Sequence, residues 1–334
     1  MVVNAFFISF TTTTNRSSIE LLSFHCLIAY VTIRYIQVNS YDHKFVQLWK
    51  NIYPMRLTYS YKREMRWMVW SGVAYTIGVS LVNGVFVEMG SYNFIIRFPF
   101  MPSYFVWEPL RCLNGVLVFV TSIPFCMAQM IYCTMCLAIY YEFRDLRRKI
   151  KLSTAVKMLD TEIQTYRRIH YQLIKLTDQA DFVLRHYAFI IYSMNLPTLV
   201  MTAYLLVRDE VIQQDAFSLF TFAAWVGVLI VQIAVISVVP SMLNYMAHSP
   251  SSLLLDVSNR PYGITKLNYE KYEQLYLFLE QLASRQIGIT ASDFFVITKS
   301  FILTIISMVI TYFSVIIQFD LGANILCLCS CLYD

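Results

Sequence analysis

Residues 311–319 read TYFSVIIQF and close an apolar run, 294–319, that is long enough to cross a bilayer, since a span needs about 20 mostly apolar residues. Its last three turns nevertheless keep Thr311, Tyr312, Ser314 and Gln318. Polar groups inside a membrane are costly, so they face other helices or water. Thr311, Ser314, Val315 and Gln318 recur at spacings of three and four, which puts them on one helix face. A stripe of hydroxyls, an amide and an aliphatic residue suits the wall of a narrow aqueous path, where dipoles replace ion hydration and an aliphatic ring closes by dewetting. It suits packing against neighbouring helices equally well, and spacing does not separate the two.

The rest of the chain follows the same plan. Of 334 residues, 57% are hydrophobic and 14% charged, with a mean hydropathy of +0.54. A soluble domain carries about 25% charge, so the composition is that of a membrane protein. Further spans are predicted at 68–87, 113–140, 187–207 and 217–246, with a weaker one at 19–37, interrupted by Glu20, His25 and Arg34. The opening residues 1–10 are apolar but too short to cross, and they lack the basic start and small-residue cleavage site of a signal peptide. They read as the outgoing end of a first helix whose beginning lies outside this chain.

Sidedness follows from the cations. Loops 38–67, 141–186 and 248–293 hold 6, 10 and 4 Lys and Arg, whereas loops 11–18, 88–109 and 208–216 hold one each and 320–334 holds none. The positive-inside bias puts the first set in the cytosol, with the N-terminus inside and the C-terminus outside. That is the reverse of a G-protein-coupled receptor, and neither an Asp-Arg-Tyr triplet nor an N-P-x-x-Y motif is present. The sequon Asn15-Arg16-Ser17 falls on the outer side, close to the membrane. The densest basic run, RDLRRKIK at 144–151, reads as a stop-transfer cluster against anionic inner-leaflet lipid. Because the cations sit in loops rather than on one folded face, no nucleic-acid partner is expected.

The two long inner loops are patterned. In 141–186, Val156, Leu159, Ile163, Tyr166, His170, Leu173, Ala180 and Leu184 follow helical three-and-four spacing, and in 248–293 Tyr269, Tyr272, Tyr276, Leu279 and Ala283 do the same. Such stripes either lie on the inner membrane surface or belong to helices that continue into the cytosol and pack there. The even scatter of Glu, Asp and Lys around them favours the second. SNRPYG at 258–263 reads as the turn before the second stripe.

Eight cysteines form no disulfide framework or zinc ribbon, and Cys133 and Cys136 read as packing residues within a span. Five histidines show no metal-ligand spacing. No cofactor or metal is expected, and no nucleophile, base and orienting group assemble into an enzyme site. Asn83, Asn114, Thr121, Asn195, Thr198, Thr202, Gln232 and Asn244 read as interhelical hydrogen-bond formers. Pro124, Pro197 and Pro240 would kink their helices. The outer halves of four spans bring together Asn83, Phe86, Asn114, Phe119, Thr202, Tyr204, Phe222 and Trp225, a candidate pocket for a small molecule. Lys299 lies about 28 Å below Gln318 along the last helix, placed to snorkel into the cytosol or to line an inner vestibule.

The pattern of Thr311-Tyr312, FSVII and Gln318-Phe319 resembles the signature in the seventh helix of the insect and invertebrate gustatory receptor superfamily. Upstream, LFLEQLASRQIGITASDFFVITKSFILTIISMVITY at 277–312 is similar to the cytoplasmic helix, short turn and paired Phe (Phe294, Phe295) that lead into that family's last span. The resemblance implies an all-α polytopic membrane helix bundle, seven-transmembrane with inverted topology, its first helix truncated here. It implies helices two to six over 19–246 with a cytoplasmic extension at 141–186, a cytoplasmic anchor segment at 248–293, a pore-lining seventh helix at 294–319 and an atypical Cys-containing tail at 320–334. A plasma-membrane chemoreceptor follows: a homo- or hetero-tetrameric, ligand-gated non-selective cation channel, permeable to monovalent and divalent cations and opened by a small molecule. Thr311, Tyr312, Ser314, Val315, Gln318 and Phe319 would form its pore and gate. A light-sensing member of the family and a metabotropic seven-helix receptor are the alternatives. Three departures stand out. The first helix is truncated; the tail after Phe319 is longer than the family's and is either a mispredicted end or a segment with three cysteines on the oxidising side, with Cys112 as a conceivable partner; and Lys299 stands where insect members often carry an acid, which points to a more distant invertebrate branch.

Overall fold

The computed structural model describes residues 62–90, 108–156, 159–208, 216–258 and 269–331, with a few helical positions between 30 and 50. The readings of 1–10, the sequon, most of 19–37 and the turn after Ser258 lie outside the described residues. The ordered elements are α1 (Lys62–Gly90), α2 (Glu108–Val156), α3 (Leu159–Arg208), α4 (Ala216–His248), α5 (Pro250–Ser258), α6 (Tyr269–Ala283) and α7 (Lys299–Cys331). Among the described residues the only departure from helix with ladder character is a single antiparallel bridge, Thr290 to Val296.

At 1.5 Å per residue, α2 with 49 residues and α3 with 50 are each about 75 Å long, against a bilayer core of about 30 Å. Both therefore run well past the membrane, and their extensions pack on each other. On α3, Ile163, Tyr166, His170, Leu173, Ala180 and Leu184 are all buried, with Thr177 filling the vacant register position. On α2, the buried residues Tyr132, Cys136, Ile139, Phe143, Leu146, Ile150 and Ser153 alternate in steps of four and three. A seven-residue repeat on both helices is the seam of a left-handed coiled-coil pair. Contacts descend in antiparallel order: Tyr132 against Tyr187 at 5.7 Å between ring centroids, Phe143 against His170 at 5.5 Å, and Ser153 Oγ against Tyr166 Oη at 2.7 Å. Each fully buried Leu, Ile or Phe contributes about 1.5–3 kcal/mol.

The backbone divides into two compact units, and α1, α2, α3 and α4 contribute to both. One draws on Val69–Met130 and Pro197–Ile230, the other on Ile131–Leu196 and Val231–Asp334 together with Asn39–Met68. Within the second unit, α4 runs antiparallel to α3, as Asn195 Nδ2 donates to Gln232 Oε1 at 3.2 Å and the hydroxyls of Tyr192 and Ser237 meet at 2.9 Å. Asn195 and Gln232 are buried and bonded across α3 and α4, the interhelical role expected of them; Thr198 and Thr202 are buried too, but the Thr202 hydroxyl donates to the Thr198 carbonyl of its own helix at 2.7 Å. Cys133 and Cys136 are free thiols, half-buried and buried.

Two expectations change. In α6 the buried face is Leu275, Phe278 and Leu282, while Tyr276 is 61% exposed, Leu279 half-buried and Ala283 exposed. Two adjacent three-and-four stripes exist in this helix, and the one without hydroxyls takes the core, because a buried Tyr needs a partner for its hydroxyl. The last helix begins at Lys299 rather than 294. Ser292 and Asp293 both have positive φ (49° and 63°) and turn the chain back, so that 295–297 pair with 289–291 rather than coil, and Thr298 Oγ1 then accepts the Phe301 N–H at 3.2 Å as an N-cap. At its other end α7 continues to Cys331.

Candidate functional site

Along α7, Thr311, Tyr312, Ser314, Val315 and Gln318 are all exposed on this chain. Phe319 lies in the helix, its side chain outside the described residues. Thr311 Oγ1 donates to the Ser307 carbonyl at 2.9 Å and Ser314 Oγ to that of Ile310 at 2.8 Å. The two hydroxyl protons are thus satisfied within the helix, which leaves oxygen lone pairs on the exposed face. Gln318 is the more demanding group, since an amide turned to lipid with nothing to bond costs several kcal/mol. At the other end, Lys299 Nζ sits 3.7 Å from the Tyr245 ring centroid on α4, so its charge rests on an aromatic face.

All eight pocket residues expected from sequence fall in the first unit, on α1 to α4, whereas the residues expected to line a pore belong to the second. Thr202 and Phe222 are buried, Phe119, Tyr204 and Trp225 half-buried. For Asn83, Phe86 and Asn114 the helix is described but the side chains are not.

Below the spans, four helices converge on His170. Its ring lies edge-on between Phe143 of α2 and Phe278 of α6, 5.5 Å from each centroid. Nε2 is 3.1 Å from the Ala247 carbonyl of α4 and Nδ1 is 3.2 Å from Gln281 Nε2 of α6. A neutral ring protonated at Nε2 satisfies both, and burial pushes its pKa down to about 4, opposed by the Ala247 contact. His248 makes a second tie: Nδ1 is 3.1 Å from the Leu282 carbonyl, and Nε2 accepts the Ile287 N–H at 3.2 Å.

The segment joining α6 to α7 is a strap. α6 is built from Tyr, Glu, Lys, Gln, Leu, Phe and Ala, with no β-branched residue or Gly, and it ends where the composition changes to RQIGITASDFFVIT. Residues 289–297 fold back on themselves, with the Ile297 N–H on the Ile289 carbonyl at 2.9 Å and the Ala291 N–H on that of Phe295 at 3.0 Å. One face of α3 holds this turn. Asp181 accepts the Thr290 N–H, and its two carboxylate oxygens lie 3.0 and 3.1 Å from Thr290 Oγ1. Arg185 pairs with Asp293, and its carbonyl accepts the Ser292 N–H at 3.2 Å. His186 Nδ1 is 3.0 Å from Ser292 Oγ, and Phe189 stacks on Phe294 at 5.4 Å. Burial pushes the Asp181 carboxyl above its usual range, offset in part by the bonds from Thr290. Two successive left-handed residues without glycine cost about 1–2 kcal/mol each, a strain that persists only where surrounding contacts over-determine it. Sequence reading marked the short turn and the paired Phe but missed Asp181, Arg185 and His186; the β-branched pairs Ile289-Thr290 and Val296-Ile297 on either side of Ala-Ser-Asp-Phe-Phe were the available signal.

A model of the 7tm chemosensory receptor family matches residues 3–322. In fold, the chain is similar to the insect olfactory receptor OR5 from Machilis hrabei, with a TM-score of 0.70, 12% identity, and coverage of 93% of this chain and 83% of that one. It is similar also to the same receptor solved in complex with eugenol, with a TM-score of 0.69, 13% identity, and coverage of 89% and 79%. No curated protein matches it in sequence. The helical architecture is thus that of a membrane receptor bundle, and with the match running over nearly its whole length the chain belongs to the 7tm chemosensory receptor family.

Proposed function

We propose that this chain is a gustatory-type chemoreceptor of the plasma membrane, one subunit of a homo- or hetero-tetrameric, non-selective cation channel opened by a small molecule. The observation that carries the reading is the outer part of α7. Thr311, Tyr312, Ser314, Val315 and Gln318 are exposed on the single chain, and a Gln amide there needs water or a neighbouring helix. Four copies of α7 around an axis would supply both. On this reading Asn83, Phe86, Asn114, Phe119, Thr202, Tyr204, Phe222 and Trp225 contribute to the ligand pocket. The α2–α3 extension, α5, α6 and the strap form the cytoplasmic anchor at 141–186 and 248–293. A small organic ligand is favoured over light by the fold neighbour solved with eugenol.

Whole-cell recording from cells expressing the full chain, against a panel of sugars and bitter compounds, tests the proposal. Ligand-evoked cation current is expected. Silence of the chain at the cell surface, alone and with related subunits, across the whole panel would overturn the reading. A cytoplasmic C-terminal tag would overturn the topology and favour a metabotropic receptor.

A further inference from the structure

We propose that Asp181 is a positioning residue for the last helix: by holding Thr290 it keeps the strap 289–297 in its left-handed turn and so fixes where and at what angle α7 begins. Its consequence for gating rests on the channel reading above; the positional claim does not.

Among the side-chain hydrogen bonds between α3 and the strap, those of Asp181 are the shielded ones, and those of Arg185 and His186 are exposed. Asp293 is 64% exposed in its pair with Arg185, and exposed ion pairs contribute little. The Asp181 carboxylate, in contrast, is partly buried and takes both the backbone and the hydroxyl donor of one residue, Thr290. Thr290 Oγ1 in turn accepts the Asp293 N–H at 3.3 Å. One carboxylate therefore orients the hydroxyl that sets the second of the two positive-φ residues. Without it the Thr290 N–H loses its acceptor and the hydroxyl is free to rotate, so a turn already in a sparsely populated conformation has no reason to remain there.

The strap leads directly into α7. Ile297 closes it, Thr298 caps the helix, and Phe295 stacks on Phe301 of the first turn with centroids 4.1 Å apart. Both rings meet Tyr192 of α3, at 6.2 and 5.5 Å. A relaxed strap moves Phe295, and Phe295 is packed on the first turn of α7.

Hydrogen–deuterium exchange on the full chain in lipid nanodiscs tests the claim without any current. In Asp181→Ala and Thr290→Val, the amides of 290–294 and of 301–303 are expected to exchange roughly tenfold faster or more, as loss of a shielded hydrogen-bonded pair implies. Thr290→Ser, which restores the hydroxyl, is expected to match the wild type, and amides 139–150 of the α2–α3 hairpin to stay unchanged. Should Asp181→Ala also expose the hairpin, Thr290→Val decides, because it leaves the carboxylate in place. Unchanged protection of the strap, or a faster strap with an unaltered first turn of α7, overturns the proposal. Recordings on the same variants separate the two claims. A shift of the half-maximal agonist concentration of about threefold in Thr290→Val but not in Thr290→Ser supports the role in gating. A silent wild type with the expected exchange pattern overturns the channel reading and leaves the positioning role standing.

Discussion

The imidazole of His170 stands edge-on to the ring of Phe278, 108 residues further along the chain, with 5.5 Å between centroids. That contact, with a second one to Phe143, ties α6 to the α2–α3 hairpin around a histidine that has no exposed surface. Because burial depresses the folded pKa to about 4 from an ordinary 6.5, the unfolded chain takes up a proton first as pH falls. The stability contributed by the neutral ring is complete above about pH 6.5 and is lost progressively as pH falls to about 4, where the loss levels off at about 3 kcal/mol. Thermal unfolding of the purified receptor between pH 7 and 4.5 should show this slope. His170→Gln, which stays neutral, should be flatter over the same window, and equal slopes would dissociate the pH response from His170.

Asn195 and Gln232 join α3 and α4 through a buried amide pair at 3.2 Å. Asn195→Leu removes the donor to the Gln232 carbonyl and should destabilise by about 1–2 kcal/mol. The double variant with Gln232→Leu should recover part of that loss, since removing both partners is less costly than removing one. A double-mutant cycle in detergent, read by thermal melting, checks it: additive effects would mean that the pair is not coupled.

Gly288 lies at a close approach between the strap and α4. A Cβ there would come within 2.9 Å of Val296 Cγ1 and 3.4 Å of Asn244 Cβ, and the Asn244 amide donates to the neighbouring Ile287 carbonyl at 2.8 Å. Gly288→Ala should therefore cost about 1–3 kcal/mol by overpacking. Gly288→Ala with Val296→Ala should regain much of this. Melting temperatures of the two variants decide between steric conflict and a backbone effect.

Among the described side chains of the outer part of α7, Gln318→Ala removes the most polar exposed group. On the channel reading, relative permeability or the agonist response changes, while expression and surface delivery stay as in the wild type. Reversal potentials in mixed-cation solutions measure the first, and a surface biotinylation assay controls for the second. An unaltered permeability and agonist response would place Gln318 against packed protein instead.

What the sequence determined by itself is what a uniform solvent imposes residue by residue. Lipid length and hydropathy mark 113–140, 187–207 and 217–246, all of which lie inside observed helices. The α3 stripe from Ile163 to Leu184 was legible because charged residues surround a single apolar face, so only one burial pattern satisfies them. The TYFSVIIQF motif identified the family. Tertiary structure decided the rest. In α6 two adjacent faces were both apolar enough, and the one without hydroxyls, Leu275, Phe278 and Leu282, took the core, with Phe278 against His170. The strap depends on Asp181 and Thr290, 109 residues apart. Neither residue announces a partner in its own neighbourhood, because a left-handed turn at Ser292 and Asp293 is unfavourable locally and exists only where a distant helix supplies the hydrogen bonds that hold it.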